Sequence, residues 1–132
     1  MGKKFSVRGR VESVRCAIRG VAIMLRSQHN AWIHAVVSVS VLVVGGLFRL
    51  SPAEWCWLAL AIMAVWTAEA LNTALEILAD VASPEIHPLV GKAKDVAAGA
   101  VLISAAGSVL IGLFVLGPHV LKFLYSMLHR PA

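Results

Sequence analysis

The chain has 132 residues, 59% of them hydrophobic, with a mean hydropathy of +0.82 and a formal net charge of +5. Soluble domains run nearer roughly 45–50% apolar, so the composition excludes an ordinary soluble fold and leaves room for about three membrane spans. Two cysteines, Cys16 and Cys56, with no CxxC pair and no zinc-ligand spacing, exclude a disulfide scaffold and a zinc module.

Residues 1–10 form a basic tail carrying Lys3, Lys4, Arg8 and Arg10. Over residues 11–28, Val11, Val14, Ile18, Val21 and Leu25 recur at three- and four-residue steps, with Arg15, Arg19 and Arg26 off that stripe. This pattern predicts a basic amphipathic helix lying on a membrane surface, where it would meet anionic lipid headgroups. Anchoring the N-terminus is the plainer role for such a helix, and a nucleic-acid partner is not expected.

Three apolar runs follow, 31–48, 55–78 and 96–116, each long enough to cross a hydrocarbon core of about 30 Å as a helix. The first follows some thirty residues and lacks the flanks of a cleaved signal peptide. Ser51, Pro52 and Glu54 predict a helix start, with Ser51 as N-cap, Pro52 at the first helical position and Glu54 closing a capping box. The first two spans are therefore an antiparallel hairpin, with Trp55 and Trp57 at its outer interface. Two prolines and a glycine predict a loop over 79–95, and this loop holds Glu85, His87, Lys92, Lys94 and Asp95. The third span is rich in Gly, Ala and Ser, which suits close helix approach in the centre of a bundle or at an oligomer interface.

The twelve basic residues fix an expected topology. Nine lie before the first span or between the second and third; three, Arg49, Lys122 and Arg130, lie at the other ends. The positive-inside rule then places the N-terminus and the second loop in the cytoplasm. Cys16 and Cys56 fall on opposite sides and are not expected to pair.

The second span carries the chemistry. Glu69, Asn72, Glu76 and Asp80 are spaced three, four and four residues apart, which puts all four on one helix face. A charge at the centre of a span costs roughly 2.5–3.5 kcal/mol on insertion scales, so the stripe needs a bound cation, a proton to move or a partner helix. Phosphoryl transfer to a lipid alcohol suits it: carboxylates hold Mg²⁺ with phosphate oxygens, a deeper carboxylate takes a proton from an interfacial hydroxyl, and a lysine neutralises phosphate. There is no GxxxxGK[ST] loop. Hydrogen-bonding glue between helices is the alternative, and cation or proton conduction a third. His34 and His87 read first as packed or interfacial residues.

Glu69-Ala-Leu-Asn72-Thr-Ala-Leu-Glu76, then Ser83-Pro-Glu85-Ile-His87-Pro-Leu and Gly91-Lys-Ala-Lys94-Asp95-Val-Ala-Ala-Gly99, closely resembles the bacterial integral-membrane diacylglycerol kinase family, which includes undecaprenol kinases. Ser13–Gly20 and Asn30–His34 resemble its surface-helix motif and the start of its first span. The resemblance implies an all-α membrane protein, a single domain over 1–132 of three transmembrane helices and a surface helix, assembled as a homotrimer with shared active sites. It implies ATP-dependent phosphorylation of a membrane lipid alcohol with Mg²⁺, diacylglycerol ahead of undecaprenol, at the bacterial inner membrane. It implies that Glu69 is the general base and that Asn72 arranges the site. Glu76 would bind metal, and Glu85, His87, Lys94 and Asp95 would contact the nucleotide. Two residues depart from the family pattern. Gln28 stands where a second metal-binding carboxylate is usual, which opens the prospect of a weak or inactive relative. Cys16 stands where an aromatic residue is usual.

Overall fold

The computed structural model describes residues 6–83 and 87–129. They form four helices: α1 (Val7–Ser27), α2 (His29–Phe48), α3 (Pro52–Ala82) and α4 (Pro88–Leu128). The last three are each long and apolar enough to cross a membrane.

α1 begins four residues before the predicted start, because the Ser6 hydroxyl accepts a hydrogen bond from the Gly9 N–H at 3.4 Å and caps it. Met24 is its one buried residue. A single extended residue, Gln28 (φ −111°, ψ 119°), separates α1 from α2. Its N–H still donates to the Met24 carbonyl at 3.0 Å, so the chain turns there without losing the last bond of α1.

The α2–α3 hairpin is closed by a left-handed residue, Arg49 (φ 53°, ψ 53°). Its N–H donates to the Gly46 carbonyl at 3.2 Å, and that of Leu50 to the Gly45 carbonyl at 3.3 Å. Gly45 is required here: a Cβ on it would lie 2.9 Å from the Trp55 ring and 3.0 Å from Leu50 Cδ1. The predicted capping box is present. Ser51 Oγ accepts from the Glu54 N–H at 3.4 Å, and the Glu54 carboxylate accepts from the Ser51 N–H at 2.7 Å.

α3 and α4 run antiparallel and share most of the packing. Three contacts fasten them along their length. Lys94 pairs with Asp80 at 3.0 Å, Ser108 Oγ donates to the Ala61 carbonyl at 2.9 Å, and His119 meets Glu54 at 2.7 Å. His119 also stacks on Phe48, joining α2 to the same end. The apolar core is small and centred on α3: Leu58, Ala61 and Val65, with Ala97 and Val101 from α4.

Three expectations change. The 79–95 loop is much shorter. α3 continues to Ala82 and α4 starts at Pro88, so Gly91, Lys92, Lys94 and Asp95 are helical. Pro88 sits at the start of α4, where its missing N–H removes no helical bond, and the His87 side chain caps that start. Gly91 costs only about 1 kcal/mol in a helix, which packing against α3 offsets. The third span does not stop at 116; α4 passes through Pro118 to Leu128. Pro118 deletes one backbone donor, but the apolar residues beyond it keep the helical conformation, as membrane helices tolerate. Within the chain the central helix is α3, so of the two places expected for the third span the bundle centre is not the one found, and the oligomer interface is left open. A Cβ on Gly99, Gly107, Gly112 or Gly117 of α4 would meet nothing within 4 Å.

Candidate active site

The predicted stripe forms on α3, and its members differ in environment. Glu69, Asn72 and Thr73 are buried, at 1%, 7% and 4% exposure. Glu76 is half-buried and Asp80 exposed. Depth follows from the helix: Glu69 stands about 10 Å along α3 from Glu76. The Thr73 hydroxyl is spent on the Glu69 backbone carbonyl at 2.9 Å and leaves the carboxylate alone.

Neither carboxylate oxygen of Glu69 has a hydrogen-bond partner among the described residues, nor has Asn72 Oδ1. A buried carboxylate without partners costs several kcal/mol. That cost is unreasonable for helix glue, which exists to satisfy such groups. The Glu69 oxygens are left open to a donor from outside the chain.

Two turns nearer the end of α3, Glu76 is fully engaged. One oxygen accepts from Gln28 Nε2 at 2.5 Å and the other from Asn72 Nδ2 at 2.9 Å. The extended backbone at Gln28 aims its side chain across to α3, so the break between α1 and α2 exists where the site needs a ligand. The donor set fits Mg²⁺ shared with nucleotide phosphates: one carboxylate from Glu76, with the amide oxygens of Gln28 and Asn72 beside it. It does not fit a metal held by protein alone. No group of three His, Cys, Asp or Glu among the described residues is placed to hold an ion.

Lys94 reaches Asp80 from the first turns of α4, with the two side chains 38% and 70% exposed. Such an exposed pair is weakly held, screened as it is by solvent. Asp80 has Lys94 as its partner. His87 Nδ1 accepts from the Leu89 N–H at 3.3 Å as the cap of α4. Asp95 is exposed on the same helix. Glu85 lies outside the described residues.

Reading the residues one at a time missed a neighbour of Glu69. His34 Nε2 lies 3.9 Å from Glu69 Oε2. The signal was register. In an antiparallel pair with Gln28 opposite Glu76, six residues forward on α2 and seven back on α3 arrive at the same depth. Trp66 Nε1, which donates to Ser38 Oγ at 3.1 Å, continues that register.

A three-span helical chain with a buried, unpartnered carboxylate beneath a carboxylate–amide cluster defines a membrane enzyme acting on a polar group at the interface. The chain matches the prokaryotic diacylglycerol kinase family over residues 15–116 and belongs to it; it is a lipid kinase. It is 40% identical over 100 residues to an undecaprenol kinase of Bacillus subtilis, covering 76% of this chain and 81% of that one. It is 37% identical over 113 residues to a diacylglycerol kinase of Synechocystis, covering 85% of this chain and 65% of that longer protein. As a kinase of this family it takes ATP as phosphate donor.

Proposed function

We propose that the protein transfers the γ-phosphate of ATP to the hydroxyl of diacylglycerol, giving phosphatidic acid, from the cytoplasmic face of a bacterial inner membrane. The observation that carries this is the Glu69 carboxylate, 1% exposed and without a hydrogen-bond partner. Its two unpartnered oxygens are open to a hydroxyl arriving from the bilayer, the position a general base needs. Asn72, three residues from that base, donates to Glu76, and Glu76 with Gln28 would hold Mg²⁺ against the nucleotide phosphates. When bound, Mg²⁺ neutralises phosphate charge. Lys94, released from Asp80, adds a second positive charge there. Asp95, His87 and Glu85 would contact the rest of the nucleotide.

In the reaction the lipid O–H bond breaks, its proton passes to Glu69, and the lipid oxygen bonds to the γ-phosphorus. The bond from that phosphorus to ADP breaks, and ADP leaves with the electron pair. The topology rests on the nine basic residues at the N-terminal and α3–α4 ends. In the same reading α1 lies on the membrane surface, its Arg15 and Arg19 against anionic headgroups, and three copies assemble with shared sites.

A second acceptor, undecaprenol, is favoured by one observation: the similarity to the Bacillus subtilis undecaprenol kinase spans most of both chains. Purified protein with γ-labelled ATP and Mg²⁺ in mixed micelles, given either lipid, tests both. Labelled phosphatidic acid formed faster is the expected result. Faster labelling of undecaprenol would transfer the assignment to that acceptor, and label in neither would overturn both acceptor assignments.

A further inference from the structure

Glu69 has a difficulty that its burial creates. A base that accepts a proton in every turnover must lose it before the next, and Glu69 is 1% exposed with no hydrogen-bond partner among the described residues. His34 is the one Lys, Arg or His among them within 4 Å of its carboxylate. The separation, 3.9 Å, is too long for a hydrogen bond. An oxygen atom placed between the two can lie about 2.8 Å from each, which suits a hydroxyl or a water. The His34 side chain is 17% exposed, so it reaches space that Glu69 does not.

That space is built for an apolar chain. His34 lines one end of a groove of about 750 Å³ between α2 and α4, floored by α3. Val37, Val41, Val65 and Leu113 give the groove an apolar wall. His34 thus stands between this groove and Glu69, which does not line it. His34 is also five residues into α2, about 8 Å from the end of the helix nearest the Gln28–Glu76 pair.

We propose that His34 is the proton exit of the site, acting through Glu69 rather than on the substrate. This rests on the reading of Glu69 as base. After transfer, the proton leaves the Glu69 carboxyl for Nε2 of the neutral His34 ring, directly or through one water. Loss of the ring proton toward the Gln28–Glu76 end of α2, about 8 Å away, restores both groups. The net products are the lipid phosphate, ADP and one proton. With His34 removed, phosphate transfer can occur once, but turnover stalls on a protonated Glu69.

His34→Ala, His34→Gln and Glu69→Gln, each checked for an intact oligomer, test this in the micelle assay. A general acid–base group contributes about 10²–10⁴-fold, so kcat should fall about 100-fold in both His34 variants with KM for lipid and ATP within about twofold. Added imidazole should restore the alanine variant saturably and leave the glutamine and Glu69→Gln variants unchanged. A structural role would give no such rescue. Full kcat in His34→Gln, or no rescue of His34→Ala, overturns the relay. The glutamine variant, closer in shape, serves alone if the alanine variant fails to assemble. Activity in Glu69→Gln would instead overturn the base reading, and an inactive Glu69→Gln beside fully active His34 variants removes the relay alone.

Discussion

At the scale of a residue, Gln28 is the position where the proposed metal site departs from the family pattern. Its amide donates to Glu76, so the pair is neutral-to-acid where the family pattern has two acids. An amide contributes an oxygen without a charge, and ligand charge count sets the affinity of such sites for divalent cations. Gln28→Glu should therefore lower the free Mg²⁺ needed for half-maximal activity, by about tenfold if the added charge is worth about 1.4 kcal/mol. Activity titrated against Mg²⁺ at saturating ATP checks this; an unchanged or higher requirement would remove position 28 from the metal site. His34 shows the limit of reading residues singly. A lone histidine in an apolar run carries no signal until its depth is matched to that of Glu69 on the neighbouring helix.

At the scale of elements, the helix ends were legible where local chemistry decides them. The Ser51–Glu54 capping box and Pro52 mark the start of α3 in sequence and in structure. The 79–95 segment was misread for a physical reason. Pro88 and Gly91 are breakers in isolation, but Pro88 stands at a helix start and Gly91 one turn inside, where neither interrupts a long run of bonds. The consequence for the site is that Lys94 and Asp95 ride on a rigid helix and not on a loop. The α2–α3 hairpin gives a direct test of packing. Gly45→Ala puts a methyl 2.9 Å from the Trp55 ring, and overpacking of this kind costs about 1–3 kcal/mol. Unfolding in detergent should show that loss, and Trp55→Phe in the same chain should recover part of it. A Gly45→Ala protein as stable as the parent would mean the hairpin opens freely there.

For the whole molecule, one chain is an incomplete membrane object. Its buried core is centred on α3 and a few facing residues, and Gly99, Gly107, Gly112 and Gly117 of α4 border open space among the described residues. Stripes of small residues are how membrane helices approach each other closely. This is the physical ground for expecting the trimer that the family resemblance implies. Assembly was not legible from periodicity, since a lipid-facing and a protein-facing apolar surface look alike in sequence. If Glu69 of one subunit works with Asp95 of its neighbour, co-assembling Glu69→Gln with Asp95→Ala chains in equal amounts should restore about a quarter of the parent rate, by random mixing in a cyclic trimer. Two inactive variants that stay inactive together would place each site within one chain.

The account stands on one group. The measurement that tests it most directly is kcat and KM of Glu69→Gln beside the parent, in the same micelles, with oligomer size recorded for both. The account predicts a loss of at least about 100-fold in kcat, with KM for ATP and lipid nearly unchanged, because the amide keeps the shape and loses the base. A Glu69→Gln enzyme within a few-fold of the parent would contradict it, and the buried, unpartnered carboxylate would need another explanation.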